Sequence, residues 1–232
     1  MTSGKTGKVS PRDELARKEK LLAFEKIRWA EGFSFVAGVD EAGRGCMAGP
    51  VVAAAVIFTD QTKIPPGIHD SKQMTENARM ELRELLLAEP SVLHAVAEVS
   101  AEEIDRINIL QATWKAMRLA VAQLPQTQFI LVDGNPVKGF ELPSESIVKG
   151  DDRSLSIGAA SILAKTHRDL LMKDFAETYP QYGFEVHKGY CTAAHIEAVK
   201  EYGPCPIHRL SYAPIQKILH PSDFIQPDLF GG

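Results

Sequence analysis

The sequence predicts an α/β domain built around a mixed β-sheet. Three segments with strand character fall within the first hundred residues, and two shorter apolar segments alternate with helical patterns after them. This order of elements is typical of a sheet covered by helices. The chain has 232 residues, of which 44% are hydrophobic and 24% charged, so it can bury a core without disulfides or a structural metal.

The five predicted strands are apolar runs bounded by turn residues. A glycine-rich turn between the first and second favours a hairpin, and the fourth is a short apolar run that ends in an acid, as expected of a buried strand. The predicted strands span residues 35–40, 50–58, 92–99, 129–133 and 146–149.

The predicted helices follow from apolar residues at helical spacing. Residues 156–179 give the clearest pattern, with one apolar face suited to packing on a sheet. Thr75 is a suitable N-cap for a helix over 75–87. Further helices are predicted at residues 12–31, at 101–124 with a break near Asn108, and at 192–202. The apolar positions of the first of these, an amphipathic helix, are Leu15, Leu22, Ile27 and Trp29.

Composition narrows the class of protein. The formal net charge of −4 argues mildly against a nucleic-acid binder, although it does not exclude a local basic surface. The three cysteines have no CxxC spacing, which argues against a disulfide framework or a zinc site and favours a reducing compartment. A polar start and no apolar segment long enough to span a bilayer predict a soluble, cytoplasmic protein.

The segment GVDEAGRG joins two acids to a glycine-rich turn. Asp40 and Glu41 follow an apolar strand, and although neighbouring strand residues point to opposite faces, the chain can turn where a strand ends. Glycine lets the backbone approach a ligand closely, and Arg44, between Gly43 and Gly45, is suited to hold a phosphate. A hairpin turn with solvated acids is an equal alternative.

Two further acidic positions stand where a strand gives way to a turn or a helix. Asp133 ends the fourth strand and is followed by Gly-Asn, and ligands gather at strand ends in α/β sheets. Asp151 and Asp152 lie in the segment KGDDRS, just before the long helix. The alternatives are an ordinary Asp-Gly turn at the first position and a helix cap, from Asp152 or Ser154, at the second.

Together these acids predict a metal-dependent hydrolase. Four carboxylates at strand ends or a helix start would repel one another unless cations lay between them. Two Mg²⁺ or Mn²⁺ ions about 3.5–4 Å apart are the usual arrangement in enzymes that hydrolyse phosphodiesters. Hard oxygen ligands favour Mg²⁺ and Mn²⁺ over zinc.

A series of motifs then identifies a family. GVDEAGRG and AGPVVAAAV are followed by Asp70-Ser71-Lys72, VDGN, KGD, SIGAASILAK with HRD close behind, and HKGY. In this order and spacing, from about residue 36 to 215, the chain resembles type 2 ribonucleases H (ribonuclease HII). The resemblance implies a ribonuclease H-like fold, a five-stranded mixed sheet flanked by helices, with a C-terminal helical extension.

The resemblance also implies a division of the chain and an activity. The expected segments are a flexible N-terminus with an amphipathic helix (1–31), a catalytic domain (32–180), a helical extension (181–220) and a tail (221–232). The first and the last are predicted from the residues themselves. The implied activity is hydrolysis of the RNA strand of RNA–DNA hybrids, and incision of DNA duplexes 5′ of embedded ribonucleotides, leaving 3′-hydroxyl and 5′-phosphate ends. A monomer is expected.

The family's functional residues carry over position by position. The catalytic acids and metal ligands are expected at Asp40, Glu41, Asp133 and Asp151, the last because it follows a Lys-Gly pair. The family triplet that contacts the ribose 2′-hydroxyl and a nearby phosphate matches Gly43, Arg44 and Gly45. Its tyrosine, which stacks on the sugar, matches Tyr190, and the 2′-hydroxyl is what separates RNA from DNA at one nucleotide.

Other basic side chains are candidates for contact with phosphates, with a plain surface role equally open to each. These are Lys149, Arg153, Lys165, Arg168 and Lys188.

Two other classes of protein compete with the ribonuclease H interpretation. A resolvase-like or transposase-like nuclease would share the acids but would not need a 2′-hydroxyl sensor. A non-catalytic clamp-associated nucleic-acid-binding protein would tolerate loss of the acids, yet all four positions are filled.

The tail predicts a protein partner. Gln226, Leu229 and Phe230 resemble the short Gln-x-Asp/Ser-Leu-Phe peptide with which bacterial replication and repair proteins dock on the sliding clamp. Apolar anchors on a chain end are unusual unless something buries them. The alternative is that Leu229 and Phe230 pack back onto this protein.

Overall fold

A computed structural model describes residues 11–68 and 74–224. Three predicted features lie outside these ranges: residues 1–10, the Asp70-Ser71-Lys72 motif, and the tail with Gln226, Leu229 and Phe230. Within the described ranges, no helix is both long and apolar enough to cross a membrane.

The described residues fall into two compact units. The first unit lies within Met1–Asp40, Ala54–Ala95 and Val121–Ile162, and the second within Glu41–Ala53, Val96–Ala120 and Leu163–Gly232. The predicted boundary between a catalytic segment 32–180 and an extension 181–220 stays a prediction.

The sheet has five strands in the order β3-β2-β1-β4-β5, as predicted for a mixed sheet flanked by helices. All strand bounds agree with the prediction to within two residues. β2 is buried at every position, which explains why its sequence VVAAAVIF shows no alternation of polar and apolar residues. The strands are β1 (Val36–Ala42), β2 (Val51–Phe58), β3 (Val92–Val99), β4 (Phe129–Asp133) and β5 (Ser144–Ile147).

Eight α-helices occur among the described residues. They are α1 (Pro11–Leu21), α2 (Ala23–Ala30), α3 (Glu76–Ala88), α4 (Ala101–Ala122), α5 (Leu155–Thr178), α6 (Phe184–His187), α7 (Ala193–Tyr202) and α8 (Ala213–Leu219). Single 3₁₀ turns form at Gln61–Lys63, Gly150–Asp152, Pro180–Tyr182 and Pro221–Phe224. Helices α6 and α8 were not predicted, because each is too short to repeat an apolar period and lies in a segment rich in Pro, His and Tyr.

The N-terminal helix differs from the prediction. Helices α1 and α2 replace one helix over 12–31, and Leu22 is buried where they meet. Leu15 and Ile27, expected on the apolar face, are 60% and 50% exposed, whereas Trp29 packs against the core. The break changes which positions share a face, so a period counted across it does not describe one helix.

The other helix signals are confirmed. The Thr75 side chain accepts a hydrogen bond from the Ala78 N–H at 3.2 Å and so caps α3. Asn108 interrupts α4 with a φ of 65°, and its side-chain oxygen accepts from the Leu110 N–H at 3.0 Å. Asparagine suits this break because it tolerates a positive φ and caps the helical turn that follows.

Each unit has its own apolar core. The core of the first unit joins β1, β4, β5 and the start of α5, and aromatic residues of the N-terminal segment pack on it: Val36, Phe129, Leu131, Ile147 and Ile157, with Phe24, Trp29 and Phe33. The core of the second unit lies under the C-terminal helices: Met47, Ala48, Met172, Tyr182, Phe184, Val199, Cys205 and Ile215.

Candidate active site

Two of the predicted acids lie on neighbouring strands of the first unit. β1 and β4 run parallel, and Val39 pairs with Val132. Asp40 and Asp133 are the next residue on each strand, so both stand at the carboxyl edge, where α/β sheets collect ligands. Asp40 is buried and Asp133 is partly exposed.

A third acid is tied to the same edge through the backbone. The Gly150 N–H donates to Oδ1 of Asp133 at 2.6 Å. Asp151, the next residue, is buried in the single 3₁₀ turn Gly150–Asp152. Lys149 precedes this turn in the left-handed region, with a φ of 56°, and its side chain is exposed. The first unit thus brings Asp133 and the turn carrying Asp151 together, and leaves Lys149 accessible to solvent.

The start of helix α5 is held by a carboxylate that sequence reasoning missed. Glu25, fully buried on α2, accepts hydrogen bonds at Oε1 from the Ser154 hydroxyl at 2.6 Å, the Ser156 hydroxyl at 2.6 Å and the Ser156 N–H at 3.0 Å. Ser154 in turn accepts from the Ile157 N–H at 3.3 Å. Ser154, one of the two predicted candidates, is therefore the helix cap.

Gly38 lets β1 approach helix α5 closely. A Cβ atom at this position would lie 2.2 Å from the carbonyl carbon of Ser156 and 2.3 Å from the nitrogen of Ile157. No side chain fits at such distances. The glycine therefore sets how near Asp40, two residues further along β1, can come to the beginning of α5.

The glycine-rich triplet lies in the second unit. Gly43 has a φ of +93°, which favours glycine. Arg44 and Gly45 are exposed, and the Arg44 guanidinium donates to Glu41 Oε1 at 3.1 Å. The Glu41 side chain is only 13% exposed, against 49% for Arg44. The pair places a cationic group at the surface, beside the acid that follows Asp40 in the chain.

Tyr190 and Cys46 are close enough in the second unit to affect each other's pKa. Burial raises the pKa of the Cys46 thiol and also that of the Tyr190 hydroxyl, so both are neutral at neutral pH. A neutral thiol is a poor nucleophile. Tyr190 is nevertheless 45% exposed, which leaves ring surface available to a ligand.

Arg168 corrects one of the predictions. It was a candidate for contact with phosphates, but it is 1% exposed and donates to main-chain carbonyl oxygens. Lys188 is also buried, and its ammonium donates to the Glu185 carbonyl, so its contact with substrate stays a prediction. Lys165 pairs with Asp169. Arg209, which no local pattern marked, is fully buried.

The donor set of the acidic edge suits a hard divalent cation. Asp40, Asp133 and Asp151 offer carboxylate oxygens, which Mg²⁺ and Mn²⁺ prefer. Within residues 11–68 and 74–224, no three Asp, Glu, His or Cys side chains already stand in an arrangement that could hold a metal ion. The chemistry of the donors therefore fits such an ion.

An acidic edge on the parallel strands of a five-stranded mixed sheet defines the class of ribonuclease H-like nucleases. A family model described as Ribonuclease HII matches residues 37–215. Ribonuclease HII of Chlamydia pneumoniae is 47% identical over 206 residues, which cover 88% of this chain and 95% of the relative.

Solved structures agree with this match. The ribonuclease H2 from Pyrococcus horikoshii OT3 is 27% identical with a TM-score of 0.68, and the alignment covers 82% of this chain and all of that one. The structure of the PCNA:RNase HII complex from Archaeoglobus fulgidus gives 25% identity and a TM-score of 0.65, covering 77% and 95%. The chain belongs to the ribonuclease HII family.

Family membership fixes the type of reaction. Ribonucleases H are hydrolases that act as endonucleases on the RNA of RNA–DNA hybrids, and dependence on a divalent metal is typical of them. The chain is therefore an enzyme of this kind. The predicted nuclease is confirmed, and the resolvase-like and the non-catalytic alternatives are both wrong.

Proposed function

We propose that Asp40, Glu41, Asp133 and Asp151 are the catalytic acids of this ribonuclease H and hold its metal ions. The observation that carries the proposal is the link from Asp133 Oδ1 to the Gly150 N–H, 2.6 Å long. Together with the pairing of Val39 and Val132, it gathers three acids from distant parts of the chain at one sheet edge. Such convergence of carboxylates, of which Asp40 and Asp151 are buried, is costly unless cations neutralise it.

The acids would hold two Mg²⁺ or Mn²⁺ ions. When bound in such a site, these ions lower the pKa of a coordinated water and neutralise charge on the phosphate. The protein's own part is positioning. Asp133 keeps its place because one oxygen is engaged by the Gly150 N–H, and Asp151 is fixed by the short turn that Ser154 and Glu25 anchor at the start of α5.

Recognition of a ribonucleotide is assigned to the second unit. Gly43 and Gly45 carry no side chain that would keep a sugar away from the backbone, and Arg44 presents a surface cation suited to a phosphate. Tyr190 offers an exposed ring to the sugar. We assign to these groups the recognition that directs incision of DNA duplexes 5′ of embedded ribonucleotides. This cleavage leaves 3′-hydroxyl and 5′-phosphate ends. Lys149 and Lys188 are proposed as further substrate contacts.

The test is cleavage of a labelled DNA duplex that contains one ribonucleotide, with Mn²⁺, Mg²⁺ or EDTA. Asp133→Asn keeps an oxygen for the Gly150 N–H but removes the charge, so we expect folded protein with activity reduced by about three orders of magnitude. Asp60→Asn is the matched control, because Asp60 is an acid that follows strand β2 and has no part in the site. Cutting in EDTA, or wild-type activity of Asp133→Asn, would contradict the proposal.

We also propose that the tail docks on a sliding clamp through Gln226, Leu229 and Phe230. The support is the tail sequence itself and the clamp complex of the Archaeoglobus fulgidus relative. Full-length protein should be retained on beads carrying the bacterial clamp, whereas a chain ending at Ser222 and the double variant Leu229→Ala, Phe230→Ala should not. Equal retention of all three proteins would remove the idea.

A further inference from the structure

Two arginines are the largest fully buried side chains among the described residues. Arg168 is 1% exposed and Arg209 is 0% exposed. Removing a guanidinium from water costs free energy that only well-placed partners offset. Here the partners are backbone carbonyl oxygens and, for Arg209, also the Tyr212 hydroxyl at 2.9 Å. The carbonyls cluster in and beside the two segments to which substrate recognition is assigned.

Arg168 joins two loops of the second unit. From helix α5 its Nε donates to the Pro50 carbonyl at 3.0 Å and one terminal nitrogen to the Ala48 carbonyl at 2.9 Å. The other terminal nitrogen donates to the Lys188 carbonyl at 2.8 Å. One side chain thus fixes two segments: the residues between the glycine-rich triplet and strand β2, and the segment that carries Tyr190.

Arg209 holds the triplet itself. Its terminal nitrogens donate to the Gly43 carbonyl at 2.7 Å and to the Arg44 carbonyl at 3.0 Å, and its Nε donates to the Gly49 carbonyl at 3.0 Å. The Tyr212 hydroxyl donates to the same Arg44 carbonyl at 2.9 Å. Two consecutive carbonyls of the triplet are therefore drawn toward one buried cation.

The two arginines act on a common backbone conformation. A Cβ on Gly43 would lie 2.1 Å from Arg168 Nε, so the triplet packs directly on the Arg168 side chain. In a trans peptide the C=O and the following N–H point in opposite directions. Fixing the Gly43 and Arg44 carbonyls on Arg209 therefore turns the N–H groups of Arg44 and Gly45 away from the interior.

We propose that Arg168 and Arg209 are positioning residues that set the discrimination between ribose and deoxyribose. The inference rests on the proposed function, in which the triplet and Tyr190 contact the sugar. The arginines do not touch substrate. They hold the backbone N–H groups of Arg44 and Gly45 toward the substrate and fix the position of the segment that carries Tyr190. The groups that bind a 2′-hydroxyl are therefore already in place before the substrate arrives.

The experiment compares the affinity for two labelled duplexes, one of DNA alone and one with a single ribonucleotide, with Ca²⁺ replacing Mg²⁺ to prevent cleavage. The preference is the ratio of the two Kd values. Arg209→Lys keeps the charge but cannot reach three carbonyls, so we expect the preference to fall about tenfold while affinity for plain DNA changes less than about twofold. Arg168→Lys should act in the same direction. Cleavage should show a higher KM for the single-ribonucleotide duplex and a smaller change in kcat.

Controls separate the possible outcomes. Arg28→Lys alters an arginine of the first unit that pairs with Glu31 and Glu145 and should keep the wild-type preference. Tyr212→Phe removes the hydroxyl that donates to the Arg44 carbonyl and accepts from a terminal nitrogen of Arg209 at 2.9 Å. It covers the case in which Arg209→Lys fails to fold, and its preference should fall by a smaller factor. An unchanged preference in the folded variants overturns the inference. Absence of any preference in the wild type overturns the proposed function instead.

Discussion

His195 and His208 share a buried hydrogen bond between their Nε2 atoms, which lie 3.0 Å apart. Their other partners assign the tautomers. His195 Nδ1 faces the Tyr190 carbonyl at 2.9 Å and must carry a proton, whereas His208 Nδ1 accepts from the Cys205 N–H at 2.9 Å. His208 therefore donates to His195, and both rings are neutral. A second proton on either ring would bring two donors face to face.

The first prediction is a loss of stability in mild acid. Burial lowers the pKa of His195 and of His208 from 6.5 to about 4, and the His187 ring stacked on His195 adds to the lowering of the His195 pKa. Between pH 6.5 and about 4, the two histidines bind protons in the unfolded chain but stay neutral in the folded chain. The free energy of unfolding should therefore be highest above pH 6.5 and fall by roughly 3 kcal/mol for one histidine as the pH drops to about 4.

Urea unfolding at pH 7.5, 6.0 and 5.0 measures this dependence. His195→Gln should be less stable at pH 7.5 but should lose less stability on acidification, because one of the two groups no longer titrates. His94→Gln, on strand β3 of the first unit, should keep the wild-type dependence. A His195→Gln protein with the same pH dependence as the wild type would rule out this pair as its source.

Glu25 gives the second prediction, which concerns the anchor of the Asp151 turn. Glu25→Ala leaves two buried hydroxyls and one N–H without their acceptor, so the free energy of unfolding should fall by about 3 kcal/mol. Glu25→Gln keeps an acceptor oxygen and should cost roughly 1 kcal/mol. In the folded Glu25→Ala protein, half-maximal activity should need several-fold more Mn²⁺.

The matched control for Glu25 is Glu84→Ala, which removes an exposed acid from helix α3 of the same unit. Urea unfolding and a Mn²⁺ titration of activity compare the four proteins. Wild-type stability of Glu25→Ala, or an unchanged Mn²⁺ requirement despite lower stability, would show that the anchor does not support Asp151.

Metal binding supplies the third prediction. A ligand that binds only the folded state stabilises it by about 2.7 kcal/mol at a concentration one hundred times its Kd. Mn²⁺ should therefore raise the unfolding temperature of the wild type and of Asp60→Asn, and raise that of Asp133→Asn much less. Calorimetric scans with and without Mn²⁺ decide this independently of catalysis. Equal shifts for all three proteins would place the metal away from Asp133.

The strands and acids could be predicted because their signals are local. Strand β4 is five apolar or acidic residues followed by Gly134-Asn135, so its end and the position of Asp133 follow from the sequence alone. The parallel register that sets Asp40 beside Asp133 then follows from strand ends meeting at one edge. Boundaries shifted by one residue at the start of β2 and by up to two residues at β1 and β5.

The groups that hold the loops could not be predicted because their partners are distant in the chain. Arg168 was expected at the surface, since charged residues are rarely buried. It is buried instead, and two of the carbonyls that accept its hydrogen bonds lie 118 and 120 residues away in the chain. The partners of Glu25 lie 129 and 131 residues away. Hydrogen bonds between residues so far apart in the chain produce no periodic pattern or fixed spacing in the sequence. The HRD motif, which contains Arg168, marked the residue without indicating its burial.

Gly38 provides the last prediction, because it links packing to the position of Asp40, one of the proposed catalytic acids. In Gly38→Ala the new methyl group would meet the Ser156 backbone at 2.2 Å, so β1 and the start of α5 must separate, at a cost of about 3 kcal/mol. Asp40 moves with β1, and activity per folded molecule should fall at least tenfold. Gly45→Ala serves as the control for stability only, since nothing lies within 4 Å of a Cβ at that position. Urea unfolding and cleavage of the single-ribonucleotide duplex test both parts, and a fully active Gly38→Ala protein would mean that the distance between β1 and α5 does not control Asp40.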